Sequence, residues 1–320
     1  MIRASLWALL GGVAMVARAQ VPVWIDTDPS VARGGHEIDD GFALIQAFHS
    51  KEIAIRGVSV VFGNAPLQTA LPIAQELLRL INPSGPKPYA GAASALQLGE
   101  PTAASRALIA ALRKEKLTIL AIGPVTNIAT VLKTHPELSR RIERIVAVAG
   151  RRPDQQFLVG TKNPSRPLRD FNFEMDPAAM QIILDSKVSL VLAPFEISSR
   201  VWITAADVEA LKGRSPLLDW LYGPAVDWLG LWKRSFGVDG FNPFDTLAVA
   251  VVTSPQLVSC ETLPVHIEEL PDDTGVTGNQ NAKAYLLLSS KIQSMHSVSY
   301  CYEAKPEFKT DLMRRLLNAP

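Results

Sequence analysis

Cysteine is almost missing from this chain, with Cys260 and Cys301 the two in 320 residues. Two cysteines can pair in an oxidising compartment but cannot build a disulfide scaffold. They also offer no Cys/His spacing for zinc. Net charge is nearly absent too: 32 Lys+Arg against 31 Asp+Glu leave +1. That balance argues against nucleic acid or an anionic membrane surface as a general partner. Neither a low-complexity tract nor a Pro/Gly-rich linker divides the chain. The apolar stretch from Ala4 to Ala17 is shorter than the ~20 residues of a membrane span. It follows the basic start Met1-Ile-Arg3 and runs into the small-x-small pattern Ala17-Arg18-Ala19. These features predict a signal peptide over residues 1–19, cleaved near Ala19, and an exported mature chain beginning at Gln20 with no membrane contact.

What the chain does have is acid, concentrated early. Five acidic residues fall within the first forty: Asp26, Asp28, Glu37, Asp39 and Asp40. The first two end the apolar run Val21-Pro-Val-Trp-Ile25, which reads as a buried strand. The last two open Asp40-Gly-Phe-Ala-Leu-Ile-Gln-Ala-Phe48, where apolar residues recur at helical spacing. Carboxylates at a strand end and at the next helix start converge on the crevice where α/β folds place ligands. So many like charges in a small volume repel one another unless a cation sits between them. A hard divalent ion, Ca²⁺ or Mg²⁺, suits oxygen ligands.

Beyond this cluster, Ile53–Phe62, Leu117–Ile122, Ile142–Ala149 and Val188–Ala193 read as further strands. Helical patterns alternate with them, from Pro66 to Ile81, from Ala103 to Leu112 and from Asn127 to Leu138. Such alternation predicts an α/β fold with a mostly parallel central sheet flanked by helices. Right-handed crossovers then align the strand ends along one edge. A single Rossmann-like domain over 20–320 is expected, with a partly separate helical section near 203–237.

With these landmarks placed, the chain resembles the inosine-uridine-preferring nucleoside hydrolase family from about Val21 to Pro255. The family pattern Asp-Thr-Asp-Pro-Gly-x-Asp-Asp appears here as Asp26-Thr-Asp-Pro-Ser30 and then Ile38-Asp39-Asp40. Val60-Val-Phe-Gly-Asn64, Gly123-Pro-Val-Thr-Asn127, Asp170-Phe-Asn172 with Asp176-Pro-Ala-Ala179, and Asn242-Pro-Phe-Asp245 match later segments in the right order. Any one is weak alone; five in order are specific.

The resemblance implies calcium-dependent hydrolysis of the N-glycosidic bond of ribonucleosides or related N-ribosides. Asp28, Asp40, Asp245 and the backbone carbonyl of Thr126 would hold Ca²⁺, and Asp28 would also activate the attacking water as general base. Asp39 and Asn172 would bond the ribose hydroxyls and Asn64 would orient the sugar, while Asn163 and Asp170 would reach the 5′-hydroxyl. The transition state would be oxocarbenium-like. Family resemblance also implies a homo-oligomer, either dimer or tetramer. Plain alternatives exist for single residues. Asp26 is best read as bonding the backbone at the strand end. Asp39-Asp40 taken alone would be an ordinary helix cap and first-turn acid. Asn64 taken alone would be a turn residue, and Asp176-Pro177 reads as a helix start.

Three departures from the pattern matter. Nine residues, Ser30 to Ile38, separate Pro29 from the Asp pair where the pattern has two. They read as a flexible loop at the rim. Phe244 stands where members carry a histidine that protonates the leaving base, and His36 or Tyr222 are the substitutes at hand. The Gly-rich segment with a histidine is not visible after Tyr89-Ala-Gly91. The sugar half of the site is thus kept and the leaving-group half rebuilt. Trp220, Tyr222, Trp228 and Trp232 offer faces for a base, although core packing is the better reading for most of them. Arg151-Arg152 and the run from Lys162 to Arg169 read as a solvated loop in preference to a phosphate site. Two other classes compete with the hydrolase: a non-catalytic nucleoside- or ribose-binding protein, for which Phe244 speaks, and a haloacid-dehalogenase-type phosphatase, which leaves the five segments unexplained.

Overall fold

Strand β1 (Val21–Thr27) starts partly buried and is fully buried from Val23 onward, so its end carries Asp26 and Asp28 into the interior. The computed structural model describes residues 19–32, 34, 36–160, 167–274 and 281–318. After β1 come α1 (Asp39–Phe48), β2 (Ile53–Val60), α2 (Leu67–Ile81), β3 (Tyr89–Ala90), α3 (Ala103–Lys114), β4 (Leu117–Ala121), α4 (Thr126–Thr134) and β5 (Ile142–Ala147). The second half continues with α5 (Phe171–Met175), α6 (Pro177–Asp185), β6 (Leu190–Leu192), α7 (Phe195–Ser198), α8 (Ala205–Glu209), α9 (Pro216–Phe236) and α10 (Phe244–Thr253). The chain closes with β7 (Val258–Pro271), β8 (Ala282–Leu288), β9 (Ser297–Ala304) and α11 (Glu307–Leu317).

The nine strands form one sheet in the order β3-β2-β1-β4-β5-β6-β9-β7-β8. Every pair from β3 through β9 is parallel, whereas β7 runs antiparallel to both β9 and β8. The mostly parallel α/β sheet expected from the alternating pattern is therefore present, with an antiparallel extension at one edge. Both faces are covered, one core cluster containing β1, α1 and α10 and a second containing β4, β5, α4 and α6. Strands buried along their whole length, such as Leu117–Ala121, are what such two-sided covering produces.

Residues 203–237 are helical as expected, yet they are not packed apart. Leu217, Leu218, Leu221, Ala225 and Trp232 of α9 belong to the same buried cluster as Ile25 and Phe42. The inserted residues also differ from a loose rim loop. Ser30, Val31, Glu37 and Ile38 are buried, and the Gly34 N–H donates to Asp227 of α9 at 2.9 Å. Apolar Val31 and Ile38 explain this, because each gains a buried position by folding the segment inward. The predicted leader lies outside the described residues. None of the described helices is long and apolar enough to cross a membrane.

Candidate active site

The carboxyl edge of the parallel strands opens into a cavity of about 420 Å³. Its wall includes Glu37, Asp39, Asn64, Asp170, Asn172 and Asp245, brought there from four separate stretches of chain. Strand direction is the reason: β1, β2, β4 and β5 all end on this edge, and each loop or helix start that follows delivers its polar residues to it.

Asp28 sits just beyond β1 with no exposure. Its Oδ2 accepts the backbone N–H of Asn64 at 2.7 Å, while Oδ1 is buried without a partner among the described residues. Two glycines leave room for this carboxylate. A Cβ on Gly63 would stand 1.9 Å from Asp28 Oδ2, and one on Gly123 would stand 2.7 Å from Oδ1. Gly123 opens the segment leading to Thr126, so the start of α4 runs beside Asp28. The Thr126 hydroxyl donates to Asp176 Oδ2 at 2.6 Å, and Asp176 in turn caps α6 through the Ala179 N–H at 3.0 Å. The predicted helix start at Asp176 is thus also a brace for α4.

Asp39 and Asp40 form the first turn of α1. Asp40 Oδ1 accepts the Thr27 hydroxyl and, at 3.3 Å, the Asp28 N–H. Its Oδ2 accepts Asn64 Nδ2 at 3.3 Å. The backbone N–H of Asp245 lies near enough to Asp39 to favour its charged form, and helices α1 and α10 pack side by side. Asn172 donates to the carbonyls of Ile122 at 3.3 Å and Val148 at 3.4 Å, just past the ends of β4 and β5. Asp170 accepts the Gly150 N–H at 2.8 Å. Asn163 lies outside the described residues.

Burial dominates the electrostatics. It pushes the Asp28, Asp40 and Asp245 carboxyls well above the usual range, and the neighbouring acids push them further. Asp39 is raised to about 7 by burial and by Asp40. Asp170 is also raised to about 7 by burial, against the pull of Arg151 and Lys283. The described residues contain no ready-made group of three or more His, Cys, Asp or Glu in a metal-ligating arrangement, since Asp40 is turned onto Thr27 and Asn64. The donor chemistry nonetheless fits a hard cation. The oxygens are acidic, buried and mutually repelling, and Asp28 Oδ1 is orphaned.

Two residues of the acidic cluster make other contacts than the sequence suggests. Glu37, counted among polar loop residues, is buried against the acids. Its Oε1 accepts the Ser30 N–H and hydroxyl, and its Oε2 accepts the Asp40 N–H at 3.3 Å. The signal available was its place three residues before Asp40, which suits a side chain reaching the helix start. Asp26 does not bond the strand backbone. It accepts the Ser59 hydroxyl and, at 2.9 Å, Asn127 Nδ2, and burial raises it to about 7.

The far end of the cavity is aromatic. Phe157, Phe195, Trp228, Trp232, Phe236 and Phe244 line it. Trp228 and Trp232 therefore face the site as well as the core, whereas Tyr222 points away and donates to Glu209 at 2.7 Å. Neither His36 nor Tyr222 lines the cavity, so neither stands in for the absent histidine. Arg151 pairs with Asp273 at 2.8 Å, and Arg152 pairs with Glu196 at 2.9 Å and Glu261 at 2.7 Å. These arginines are engaged in ion pairs instead of being free in solvent.

Fold and site together define a doubly covered α/β protein with an acidic strand-edge crevice. The family model described as inosine-uridine preferring nucleoside hydrolase matches residues 23–298; the chain belongs to that family. A relative described as a pyrimidine-specific ribonucleoside hydrolase, RihA of Enterobacter sp. (strain 638), is 28% identical over 266 residues, covering 74% of this chain and 80% of the relative. Among solved structures, a plant nucleoside hydrolase, PpNRh1, superimposes with a TM-score of 0.75 at 20% identity, covering 94% of this chain and 100% of that one. A purine-preferring ribonucleoside hydrolase from Gardnerella vaginalis gives a TM-score of 0.72 at 20% identity, covering 93% and 98% of the two chains. At such identities these structures speak for the fold.

Proposed function

We propose that this enzyme hydrolyses the C1′–N bond of ribonucleosides or related N-ribosides, giving ribose and the free base. The observation that carries this reading is the buried Asp28 carboxylate, held through one oxygen by Asn64 and left unpartnered on the other, among Asp39, Asp40 and Asp245. Asp28, Asp40, Asp245 and the Thr126 carbonyl would hold Ca²⁺, which supplies Lewis acidity when bound. Asp28 takes a proton from the attacking water. Asp39 and Asn172 bond the ribose 2′- and 3′-hydroxyls, Asn64 orients the sugar, and Asp170 receives the 5′-hydroxyl together with Asn163. The carboxylates and amide oxygens stabilise the positive charge that develops on the ring, since they are fixed before the reaction begins.

The test is incubation of the purified protein with inosine, uridine and p-nitrophenyl riboside, with and without a chelator. Ribose release that a chelator stops and added Ca²⁺ restores supports the reading. A second reading, a non-catalytic ribose- or nucleoside-binding protein, is favoured by Phe244 in place of a leaving-group acid. It prevails if p-nitrophenyl riboside, whose leaving group needs no proton, stays intact while ribose binds.

Export through a leader ending near Ala19 and a dimeric or tetrameric assembly belong to the same proposal. The Cys260–Cys301 bond suits an oxidising compartment. N-terminal sequencing of the secreted chain and light scattering of the purified protein check these two points.

A further inference from the structure

Neutral and cationic N-ribosides ask different things of a hydrolase. When the C1′–N bond of a neutral nucleoside breaks, the electron pair stays on the base, which leaves as an anion unless a proton reaches it. When the glycosylated nitrogen already carries positive charge, the same electron pair leaves a neutral heterocycle and no acid is needed.

The base end of this cavity lacks a histidine or tyrosine donor and is lined by aromatic rings. None of the five histidines and none of the five tyrosines of the chain lines it, and both cysteines are bonded to each other. The residues that α9 contributes are Trp228, Leu231, Trp232, Ser235 and Phe236. The rings form a connected cluster along the wall, with the Trp232 centroid 6.0 Å from Trp228, 5.2 Å from Phe236 and 6.2 Å from Phe244, which itself lies 6.2 Å from Phe195. Aromatic faces attract cationic groups, quaternary nitrogen among them. Charge points the same way. Among the described residues, the lining carboxyls are Glu37, Asp39, Asp170 and Asp245, and the lining cation, Arg169, is paired with Glu174 at 2.7 Å.

We infer that the preferred substrates are N-ribosides of a positively charged aromatic nitrogen heterocycle, the N-ribosylpyridinium class. This rests on the hydrolase reading above. The oxygen of water bonds to C1′, the C1′–N pair moves onto nitrogen to give a neutral pyridine, and the water proton passes to Asp28 and then to solvent. Atoms and charge balance with no further reactant.

The experiment compares kcat/KM of the full chain, with Ca²⁺ present, for nicotinamide riboside, inosine, uridine and p-nitrophenyl riboside, each corrected for its spontaneous hydrolysis. The expected result is a preference of about 100-fold or more for nicotinamide riboside over inosine and uridine, in line with the contribution of one missing general acid. Phe244→His is expected to narrow the gap from both sides, raising inosine cleavage about 10-fold or more and lowering that of nicotinamide riboside. Inosine or uridine cleaved as well as the cation overturns the inference, and so does p-nitrophenyl riboside cleaved alone; both outcomes leave the hydrolase reading standing. If none of the four is cleaved, the hydrolase reading itself fails.

Discussion

Asn64 holds Asp28 from 36 residues away, its backbone N–H reaching Asp28 Oδ2 at 2.7 Å while Oδ1 stays unpartnered. A carboxylate fixed through one oxygen and free at the other is placed to take a proton. Asp28→Asn should lower kcat by about 10²- to 10⁴-fold. The substitution also removes a buried charge from a cluster of like charges, so the chelated variant should melt no lower than wild type. Ribose-release assays and calorimetry on the same samples check both halves. Retained kcat would remove Asp28 from the chemistry.

Gly63 makes that placement possible. An added Cβ would fall 1.9 Å from Asp28 Oδ2 and 2.7 Å from its Cγ, far inside van der Waals contact. Gly63→Ala should displace the carboxylate and cost about 10²-fold or more in kcat, as misplacement by an ångström does. Circular dichroism should still report a folded protein. Full activity in this variant would show that Asp28 can shift without consequence.

Asp170 gives a pH signature of its own. Burial raises its carboxyl to about 7, above the unfolded value, so the folded state binds the extra proton. Its contribution is fully present below about pH 4 and is lost as pH rises through about 7. Asp170→Asn should flatten the fall in stability over that window, by an amount on the order of 2–4 kcal/mol relative to wild type. Urea unfolding in the presence of a chelator at several pH values measures the difference in slope. Equal slopes for the two proteins would place the titration elsewhere.

Much of this was legible in the residues, and the rest was hidden for physical reasons. Buried parallel strands such as β4 are apolar but for single residues like Thr118, so their extent is plain. Strand β7 is half exposed and carries Glu261, Glu268 and Glu269, which blurs the apolar signal and hid the antiparallel edge. Local spacing placed the acids at β1 and α1, but whether the insertion between them hung outward or folded in depended on Val31 packing, with Leu221, over Gly41. That contact spans most of the chain and leaves no local pattern. Glu37 looked like loop polarity for the same reason. The aromatic wall was ambiguous because Trp228 and Trp232 face the core and the cavity at once.

The Cys260–Cys301 bond joins directly opposed residues of β7 and β9 across a separation of 41. Closing a loop of that size in the unfolded chain stabilises the fold by about 2–4 kcal/mol. A Cys260→Ala, Cys301→Ala double variant should unfold at correspondingly lower urea, with kcat unchanged because neither strand lines the cavity. Thiol titration of the denatured wild type should find no free cysteine. Two free thiols would dispose of the bond.

Glu37 fastens the insertion to the start of α1, accepting from Ser30 on one oxygen and from the Asp40 N–H on the other. Burial, then the Asp39 charge, raises its carboxyl well above the usual range. Glutamine has the same shape and keeps an acceptor for Ser30, but its NH₂ cannot accept the Asp40 N–H. Glu37→Gln should therefore cost about 1–3 kcal/mol, the loss of the acceptor for one buried N–H. Glu37→Ala strands two buried backbone N–H groups, each costing about 1–3 kcal/mol. It should also loosen the carboxylates of α1, so the concentration of Ca²⁺ needed for half-maximal activity should rise by more in the alanine variant than in the glutamine one. Urea melts and Ca²⁺ titrations of the two variants side by side read this out. If both behave alike, Glu37 acts through its charge and not through the clamp.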